Sequence, residues 1–402
     1  MGDKSGKSRN IYIIMGVLIV LVAVSFARLS YGMILPFMKD GLFISYKSAG
    51  TLGTITSLGY LISIMFAGYL STKWGGKNTI IVGLLLINLG FFNLSITTTY
   101  WYSSVFMFLL GIGTAFVFTP LIAILTEWFP QKKGFVIGCV NSSAGIGSLF
   151  VGILVPFLAD IYIETSWRIT WKIFCIIGGL VFFMTIFFIK NPPVAKEALI
   201  QPSSPVKKIY TNRNVIKVGL IYGIVGMTLI VQTTFILSFM LEEGLDMRLA
   251  GQLIALNGIL AIFSSPFWGG ISDRLGRRNS LVIAMSLNLL STIIPVVLPN
   301  TIGFAVNLVI QGVVAFGIMT LVQALSTEQS SSQDTPIVIS YTTFYFATGQ
   351  FLGPTLAGWL IDYSGFKSTF LFFALCMFIG LFIIKIIKVT EIKTVGNSSA
   401  DG

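Results

Sequence analysis

The segment GGISDRLGRR, residues 269–278, decides how the rest of the chain is interpreted. It is a run of glycine and charged residues between two long apolar segments. Three arginines surround Asp273, and Gly276 permits a tight turn of the backbone. The segment therefore predicts a short, basic turn between two apolar helices.

A degraded second copy of this segment, GYLSTKWGGK, begins 201 residues earlier at Gly68. The glycines and the final basic residue match, whereas Thr72 stands in place of Asp273. A repeat of half the chain length in an apolar sequence indicates two bundles related by duplication. Further pairs occur at this offset or one residue from it: Ala49-Gly50 with Ala250-Gly251, Phe37-Met38 with Phe239-Met240, Thr126-Glu127 with Thr327-Glu328, and Asp160 with Asp362.

These residues resemble the major facilitator superfamily, whose hallmark G-x-x-x-D-R-x-G-R-R joins the second and third helices of each half. The stretch GQFLGPTLAGWLID, residues 349–362, is similar to the eleventh helix of that family. The resemblance covers nearly the whole chain. It implies twelve transmembrane helices in two pseudo-symmetric six-helix bundles, a monomer, and transport of a small solute by a rocking motion of the two halves.

The composition excludes an ordinary soluble domain. It predicts a chain whose partner is the lipid bilayer itself. Mean hydropathy is +0.89, and only 10% of the residues are charged, against about 25% in soluble domains. The net charge of +11 does not indicate a nucleic-acid partner, because the basic residues are spread among short loops.

The sequence offers little for catalysis or metal binding. It contains no histidine, and its three cysteines, Cys139, Cys175 and Cys376, lie inside apolar segments, where cysteine is usually a packing residue. No nucleophile, acid pair or metal cluster stands out in the apolar segments. We therefore predict no cofactor, no metal and no enzymatic activity.

Apolar segments near the length of roughly 20 residues that a membrane helix needs recur twelve times. The first is too long for a signal peptide, so we interpret it as a retained helix. We predict an N-terminal six-helix bundle in residues 1–190, a linker in 191–213 with four prolines, a C-terminal bundle in 214–390 and a tail in 391–402. The predicted helices are 11–38, 47–71, 78–97, 101–126, 133–159, 168–190, 214–241, 249–271, 279–298, 301–327, 336–361 and 366–389.

The distribution of lysine and arginine predicts the orientation in the membrane. With an even number of helices both termini lie on one side, and most of the 26 basic residues fall on that side. Positive charge concentrates in cytoplasmic loops, so we predict a cell-membrane protein with both termini in the cytoplasm. The opposite side carries only Lys39, Lys47, Arg168, Lys172, Arg248 and Lys367.

Arg28 is the one basic residue that falls deep inside a predicted helix. It lies about 15 Å from the outer, C-terminal end of that helix at 1.5 Å per residue. A guanidinium at this depth is costly unless it is paired or hydrated, and such residues usually mark a transport pathway. No acidic residue lies comparably deep. Either an anionic substrate is the missing partner, or Arg28 binds helix-end carbonyls and buried polar groups and fixes the bundle.

We expect the substrate to bind near Arg28. Tyr31 shares its helical face at i+3, and Gln232 is the pseudo-symmetric equivalent of Tyr31. An anion bridging Arg28, Tyr31 and Gln232 is the sharpest hypothesis. Other buried polar residues serve either the cavity or hydrogen bonding between helices, worth about 0.6 kcal/mol on average. The resemblance places the better cavity candidates on the fifth, eighth, tenth and eleventh helices: Asn141, Asn257, Gln311, Tyr341 and Tyr345.

Charged residues at the predicted cytoplasmic ends of the helices suggest a gate. In the family that the chain resembles, ion pairs here hold the outward-open state and break as the halves rock. The alternative is that these charges only enforce topology. The gate candidates are Lys73, Lys77 and Glu127 in the first half, and Asp273, Arg274, Arg277, Arg278 and Glu328 in the second.

The sequence leaves three functions open, and two of them differ in the class of substrate. No membrane-embedded Asp, Glu or His is available for proton coupling, which leaves anion exchange, facilitated diffusion, or a proton carried on the substrate. The segment EWFPQKKGFVIG, residues 127–138, resembles the monocarboxylate and oxalate–formate branch, whereas the first helix is similar to bacterial permeases of unassigned substrate. A small organic anion is therefore the main hypothesis. An exporter of amphiphilic or drug-like compounds is the alternative, and a transport-inactive sensor is a third.

Overall fold

The computed structural model describes residues 4–162, 164–192, 209–329 and 334–386, and this part of the chain is helical. The all-α class predicted from the sequence is confirmed. Before the linker the helices are α1 (Lys4–Val20), a π-helix (Leu21–Leu29), α2 (Tyr31–Gly41), α3 (Tyr46–Trp74), α4 (Gly76–Ile96), α5 (Tyr100–Trp128), α6 (Lys133–Asn141), α7 (Ser143–Ile161) and α8 (Ser166–Phe188). After it they are α9 (Arg213–Glu242), α10 (Met247–Leu275), α11 (Arg277–Val297), α12 (Thr301–Thr327) and α13 (Thr335–Ile386).

The number of membrane spans fits the twelve predicted. The described residues contain 10 helices long and apolar enough to cross a membrane, or 11 when the bent helix α3 is included. One of them, α13, is long enough for two spans and breaks at Gly365, where φ is 79°. Its first arm, residues 335–364, and its second arm, residues 366–386, both pack against α9. Residues 191–213 and 391–402, the predicted linker and tail, lie largely or wholly outside the described residues.

We call the end of the molecule where α1 begins and α13 ends the terminal face, and the opposite end the distal face. Four of the helices that start at the distal face have a side-chain cap on their first free backbone N–H groups. The capping residues repeat at the same offset of 201 as the sequence motif. They are Ser45 for α3 and Asp246 for α10, and Thr99 for α5 and Asn300 for α12.

The two copies of the organising motif adopt the same backbone conformation at the terminal face. Gly75 has φ 82° and ψ 145°, and Gly276 has φ 80° and ψ 150°, a region that only glycine enters without strain. The basic residue two positions later binds the end of the last helix of its own half. Lys77 Nζ donates to the carbonyl oxygen of Ile186 over 2.6 Å, and an Arg278 nitrogen donates to that of Lys385 over 2.7 Å.

Apolar side chains form both the interior and the lateral surface. Inside the first half, Phe26 stacks on Phe174 with ring centroids 4.3 Å apart, and inside the second half Phe239 stacks on Phe366 at 5.4 Å. Large apolar residues are also exposed along the helices, among them Phe183 at 61%. An apolar exterior of this extent suits a chain that is surrounded by lipid rather than water.

The two halves pack closely at the distal face, where glycines let the helix backbones approach one another. A Cβ atom at Gly32 of α2 would clash with the carbonyl oxygen of Thr233 in α9. A Cβ atom at Gly50 of α3 would clash in the same way with that of Pro354 in α13. The distal face is therefore closed.

The halves separate toward the terminal face. One face of the fifth span contacts α10 through Gly145 and Gly152. The same face continues to Asn141, which is exposed, and to Gly138, where an added Cβ would meet nothing within 4 Å. Because a contact made at one end of the helix pair is absent at the other, the structure represents a conformation open at the terminal face.

Candidate functional site

Arg28 lies in the π-helical part of the first span and contacts both halves of the molecule. One of its terminal nitrogens donates to Oε1 of Gln350, on the first arm of α13, over 2.9 Å. Its guanidinium carbon stands 4.4 Å from the ring centroid of Tyr60, on α3. None of the ion pairs among the described residues includes Arg28. Its positive charge therefore has neutral partners in this part of the chain.

Arg28 and Tyr31 contact the same helix, α3, at different positions along it. The π-helix contains Arg28 and ends before Tyr31, and its bonds run from the N–H of residue i+5 to the carbonyl of residue i, as from the Ser30 N–H to the Ser25 carbonyl over 2.8 Å. Arg28 lies at Tyr60, whereas the Tyr31 hydroxyl donates to the Ala49 carbonyl over 2.8 Å and is buried against α3.

A central cavity of about 80 Å³ lies between the first span and helices α7, α9, α10 and α12. Leu29 and Ser30, which directly follow Arg28, are part of its wall. Most of the other lining side chains are small or apolar. The polar ones include three residues expected at the site, Gln232, Asn257 and Gln311.

These three amides differ in how they are bonded. Gln232 Nε2 donates to the Thr292 hydroxyl over 2.6 Å, and Asn257 Nδ2 donates to the Leu308 carbonyl over 2.8 Å. Gln311 is 5% exposed, and its Oε1 has no hydrogen-bond partner among the described residues. Leaving a buried acceptor unpaired costs about 1–3 kcal/mol. The amide of Gln311 is therefore held in the cavity wall at a cost to stability.

The remaining expected site residues lie nearer the terminal face. Asn141 ends α6 and is exposed in the gap between the halves. The hydroxyls of Tyr341 and Tyr345 are 3.0 Å apart, and the ring of Tyr345 packs on Gly219 of α9. None of these three lines the central cavity. The structure thus brings Gln232, Asn257 and Gln311 to one cavity, and separates them from Arg28–Gln350, from Tyr31 and from the tyrosine pair.

The charged residues at the terminal face form one ion pair among the described residues. Arg277 Nε lies 3.2 Å from Glu328, and an Arg277 nitrogen also donates to the Ala324 carbonyl over 2.8 Å. Lys77 and Arg278 bind helix-end carbonyls, as described above. The other gate candidates, Lys73, Glu127, Asp273 and Arg274, are exposed, and none of the ion pairs in this part of the chain includes them.

Two acidic residues at the distal face link the halves, which sequence reasoning did not predict. Asp160, at the end of α7, forms an ion pair with Arg248 at the start of α10. Asp362, near the end of the first arm of α13, accepts from the backbone N–H groups of Tyr46 and Lys47, over 3.1 and 2.9 Å. We call these two contacts the distal latches.

The sequence contained signals for some of these residues. Asp160 and Asp362 recur one residue out of step with the repeat, and Lys47 and Arg248 recur in step with it. The two latches therefore occupy equivalent positions in the two halves. Tyr60 and Gln350 are polar residues within apolar runs of the sequence. Only the three-dimensional packing identifies them as the partners of Arg28.

The two halves approach closely at the distal face and less closely at the terminal face, with a cavity between them. The family model of the Major Facilitator Superfamily matches residues 15–301 and again residues 233–402. The chain belongs to this superfamily. Its members are transporters that move small-molecule substrates across a membrane, and the protein is accordingly a multi-pass membrane transporter.

Curated relatives of the superfamily fall into more than one transport class. The chain is 24% identical over 387 residues to the hexuronate transporter of Bacillus subtilis (strain 168), covering 88% of this chain and 89% of the relative. It is 24% identical over 344 residues to the multidrug resistance protein MdtG of Proteus mirabilis (strain HI4320), covering 83% of each.

Solved structures of the superfamily share the fold. A bacterial homolog of the human lysosomal transporter Spinster, in an inward-facing and occupied conformation, superposes with a TM-score of 0.79 at 14% identity, over 94% of this chain and 96% of that one. The nucleoside transporter NupG superposes with a TM-score of 0.77 at 13% identity, over 94% and 98%. At these identities the likeness concerns the fold alone.

Proposed function

We propose that this superfamily member transports a small organic anion, and that Arg28 binds the anionic group. The observation that carries the proposal is the charge of Arg28, which is bonded to the neutral residues Gln350 and Tyr60 and to no carboxylate among the described residues. A guanidinium has five N–H donors, so its bond to Gln350 leaves donors for a carboxylate. A bound anion would neutralise a charge that is otherwise expensive within a membrane span.

The position of Arg28 suits alternating access. Its partner Gln350 belongs to the other half of the molecule. An anion bound here would therefore lie between the halves, where their relative motion changes its contacts. Residues 1–190 and 214–390 would rock as two bundles joined by the linker 191–213, with the tail 391–402 following. The bias of basic residues supports cytoplasmic termini in the cell membrane, which makes the present conformation inward-open. We take the transporting unit to be a monomer.

Terminal-face charges supply the gate in this proposal. In the inward-open conformation Lys73, Glu127, Asp273 and Arg274 are exposed. Rocking toward the outward-open conformation would bring the two motif regions together and allow their charges to pair across the halves. Arg277, already paired with Glu328, would hold the end of α12 in place during this motion.

The cavity supports a small solute over a large amphiphile. Its volume of about 80 Å³ is roughly half that of an engineered 150 Å³ protein cavity that binds benzene. The hexuronate relative is named for a sugar acid, which carries a carboxylate. An exporter of amphiphiles is the second candidate, supported by the mostly apolar wall of the cavity and by the efflux relatives.

The test is the melting temperature of purified wild type and Arg28→Gln against small carboxylates, inorganic anions, cations and neutral solutes. A ligand present at 100 times its Kd stabilises the folded state by about 2.7 kcal/mol, which such an assay detects. We expect particular carboxylates to raise the melting temperature of wild type and to leave that of Arg28→Gln unchanged. Equal stabilisation of both proteins, or stabilisation only by amphiphiles, would reject the anion site in favour of the exporter.

A further inference from the structure

We infer that the central cavity contains a second substrate subsite, in which the amide of Gln311 binds a hydroxyl group of the transported acid. The substrate class is then a hydroxylated carboxylate. The carboxylate part of this inference rests on the proposed function, whereas the hydroxyl part stands on the cavity itself. Gln311 sits in the wall of that cavity, is 5% exposed and leaves Oε1 without a partner among the described residues.

Gln311 differs from the other polar side chains of the cavity wall in its lack of a protein partner. The amides of Gln232 and Asn257 donate to Thr292 and Leu308, as described above. The hydroxyls in the wall each donate to a backbone carbonyl: Ser25, Ser30, Ser148 and Thr233. In the described residues, no hydrogen bond is formed by the side chain of Gln311. A solute in the cavity would supply the partner that these residues do not.

The packing of α12 holds Gln311 in this position. Its neighbour Gly312 lies so close to α10 that an added Cβ would stand 2.7 Å from the carbonyl oxygen of Asn257. This close approach places the amide in the wall between α10 and α12 rather than toward the outside of the bundle. Leu110 occupies the position 201 residues earlier, so the amide is not a feature that the repeat imposes.

The chemistry of the amide points to a hydroxyl group. An amide offers one carbonyl acceptor and two N–H donors, and a hydroxyl can both donate to the first and accept from the second. An apolar group in the same place would leave the amide unpaired, so a site of this kind rejects the deoxy analogue more strongly than an apolar pocket rejects an extra methylene. The volume of about 80 Å³ admits a small hydroxylated group.

The experiment compares acids that differ in their hydroxyl groups. The affinities of the purified full-length protein are measured by calorimetric titration for lactate and propionate, and for gluconate and hexanoate. We expect wild type to prefer the hydroxylated member of at least one pair by about tenfold, and Gln311→Leu to reduce this preference to less than twofold. Gln311→Met serves as a second variant of similar shape, and binding of the deoxy acid by either variant shows that it is folded.

Asn288→Leu is the matched control. Asn288 is 4% exposed and its side-chain amide oxygen, Oδ1, also has no partner among the described residues, but it does not line the cavity. We expect this variant to keep the wild-type preference. A wild type without preference, a preference that survives in both Gln311 variants, or one lost equally in Asn288→Leu would overturn the inference.

The same titrations separate this inference from the proposed function. If carboxylates bind wild type and not Arg28→Gln, but hydroxyl groups add nothing, the anion site stands and the Gln311 subsite is rejected. If sorbitol, a neutral polyol, binds wild type and not Gln311→Leu while no carboxylate binds, the subsite stands and the anionic substrate is rejected. Failure of the whole panel to bind wild type rejects the hydroxylated carboxylate class.

Discussion

The guanidinium of Arg28 stacks on the ring of Tyr60. Changing Tyr60 therefore tests how much this contact stabilises the buried positive charge. A cation over an aromatic face contributes about 0.5–2 kcal/mol, depending on how far it is removed from water. We predict that Tyr60→Leu lowers the free energy of unfolding by about 1 kcal/mol and weakens anion binding, because the guanidinium loses the face that orients it.

Tyr60→Phe is the control for this prediction. It removes the hydroxyl and keeps the ring that stands 4.4 Å from the guanidinium carbon. Anion affinity and melting temperature should therefore stay close to wild type. Equal losses in Tyr60→Phe and Tyr60→Leu would show that the hydroxyl, and not the stacking, is what matters at this position.

At the level of single residues, the sequence predicted where a residue lies along its helix better than it predicted where its side chain points. The unusual position of Arg28 followed from hydropathy alone. The direction of its side chain did not, because its partners Tyr60 and Gln350 lie on two other helices. The unpaired amide of Gln311 is likewise a property of its surroundings, which no single segment of the sequence contains.

Among the structural elements, the motif turns carry the clearest backbone requirement. Gly276 and Gly269 both have nothing within 4 Å of an added Cβ, but only Gly276 has a positive φ. We predict that Gly276→Ala destabilises the protein by about 1–3 kcal/mol, the usual cost of a strained backbone conformation. Gly269→Ala, in the interior of α10, should be neutral or slightly stabilising.

Melting temperatures of the two variants check this prediction directly. The open space around both positions removes steric contact as an explanation, so the difference reports on backbone conformation. A Gly276→Ala protein as stable as Gly269→Ala would contradict the positive φ at the turn.

The distal latches hold elements of opposite halves together and should influence which face is open. Asp362 accepts from two N–H groups at the start of α3, where a negative charge typically contributes 0.3–1 kcal/mol. We predict that Asp362→Asn opens the distal face more often. A cysteine replacing Thr355, which bonds Thr54 across the closed interface, should then react faster with a maleimide in a background without the native cysteines.

The ion pair of Asp160 with Arg248 offers the comparison. The Arg248 side chain is 71% exposed, and pairs of this kind contribute about 0–1 kcal/mol and weaken in salt. Asp160→Asn should therefore have a smaller effect than Asp362→Asn at high ionic strength. Unchanged labelling in Asp362→Asn would mean that the distal face is closed by helix packing alone.

Much of the element order could be predicted because membrane helices need long apolar runs and because the halves repeat. The repeat extended to helix caps and motif turns, as Ser45 and Asp246 or Gly75 and Gly276 demonstrate. The continuity of the first span was harder to predict, since its π-helix has no equivalent in the uninterrupted helix α9.

At the scale of the whole molecule, the closed distal face and the open terminal face are two consequences of one arrangement of the halves. A Cβ atom at Gly50 would clash with the Pro354 carbonyl, whereas one at Gly68 of the same helix would meet nothing within 4 Å. We predict that Gly50→Ala shifts the population toward the conformation closed at the terminal face, and that Gly68→Ala does not.

Spin labels on cysteines replacing Gly138 and Gly269 report this shift, because both positions border open space near the terminal face. Their distance should shorten in Gly50→Ala and stay at the wild-type value in Gly68→Ala. Identical distance distributions in the two variants would contradict the coupling between the faces. The conformation itself could not be predicted from the sequence, because one sequence must support both states of a transporter.

The most direct test of the account is counterflow of a labelled carboxylate into proteoliposomes preloaded with the unlabelled acid, using the acid that most stabilises wild type. Counterflow requires alternating access but no particular coupling ion. We predict uptake by wild type, uptake close to it by Arg168→Gln, whose arginine bonds the Thr97 carbonyl at the distal end of α8, and at least a tenfold loss in Arg28→Gln. Counterflow by Arg28→Gln at the wild-type rate would contradict the assignment of Arg28 as the anion site.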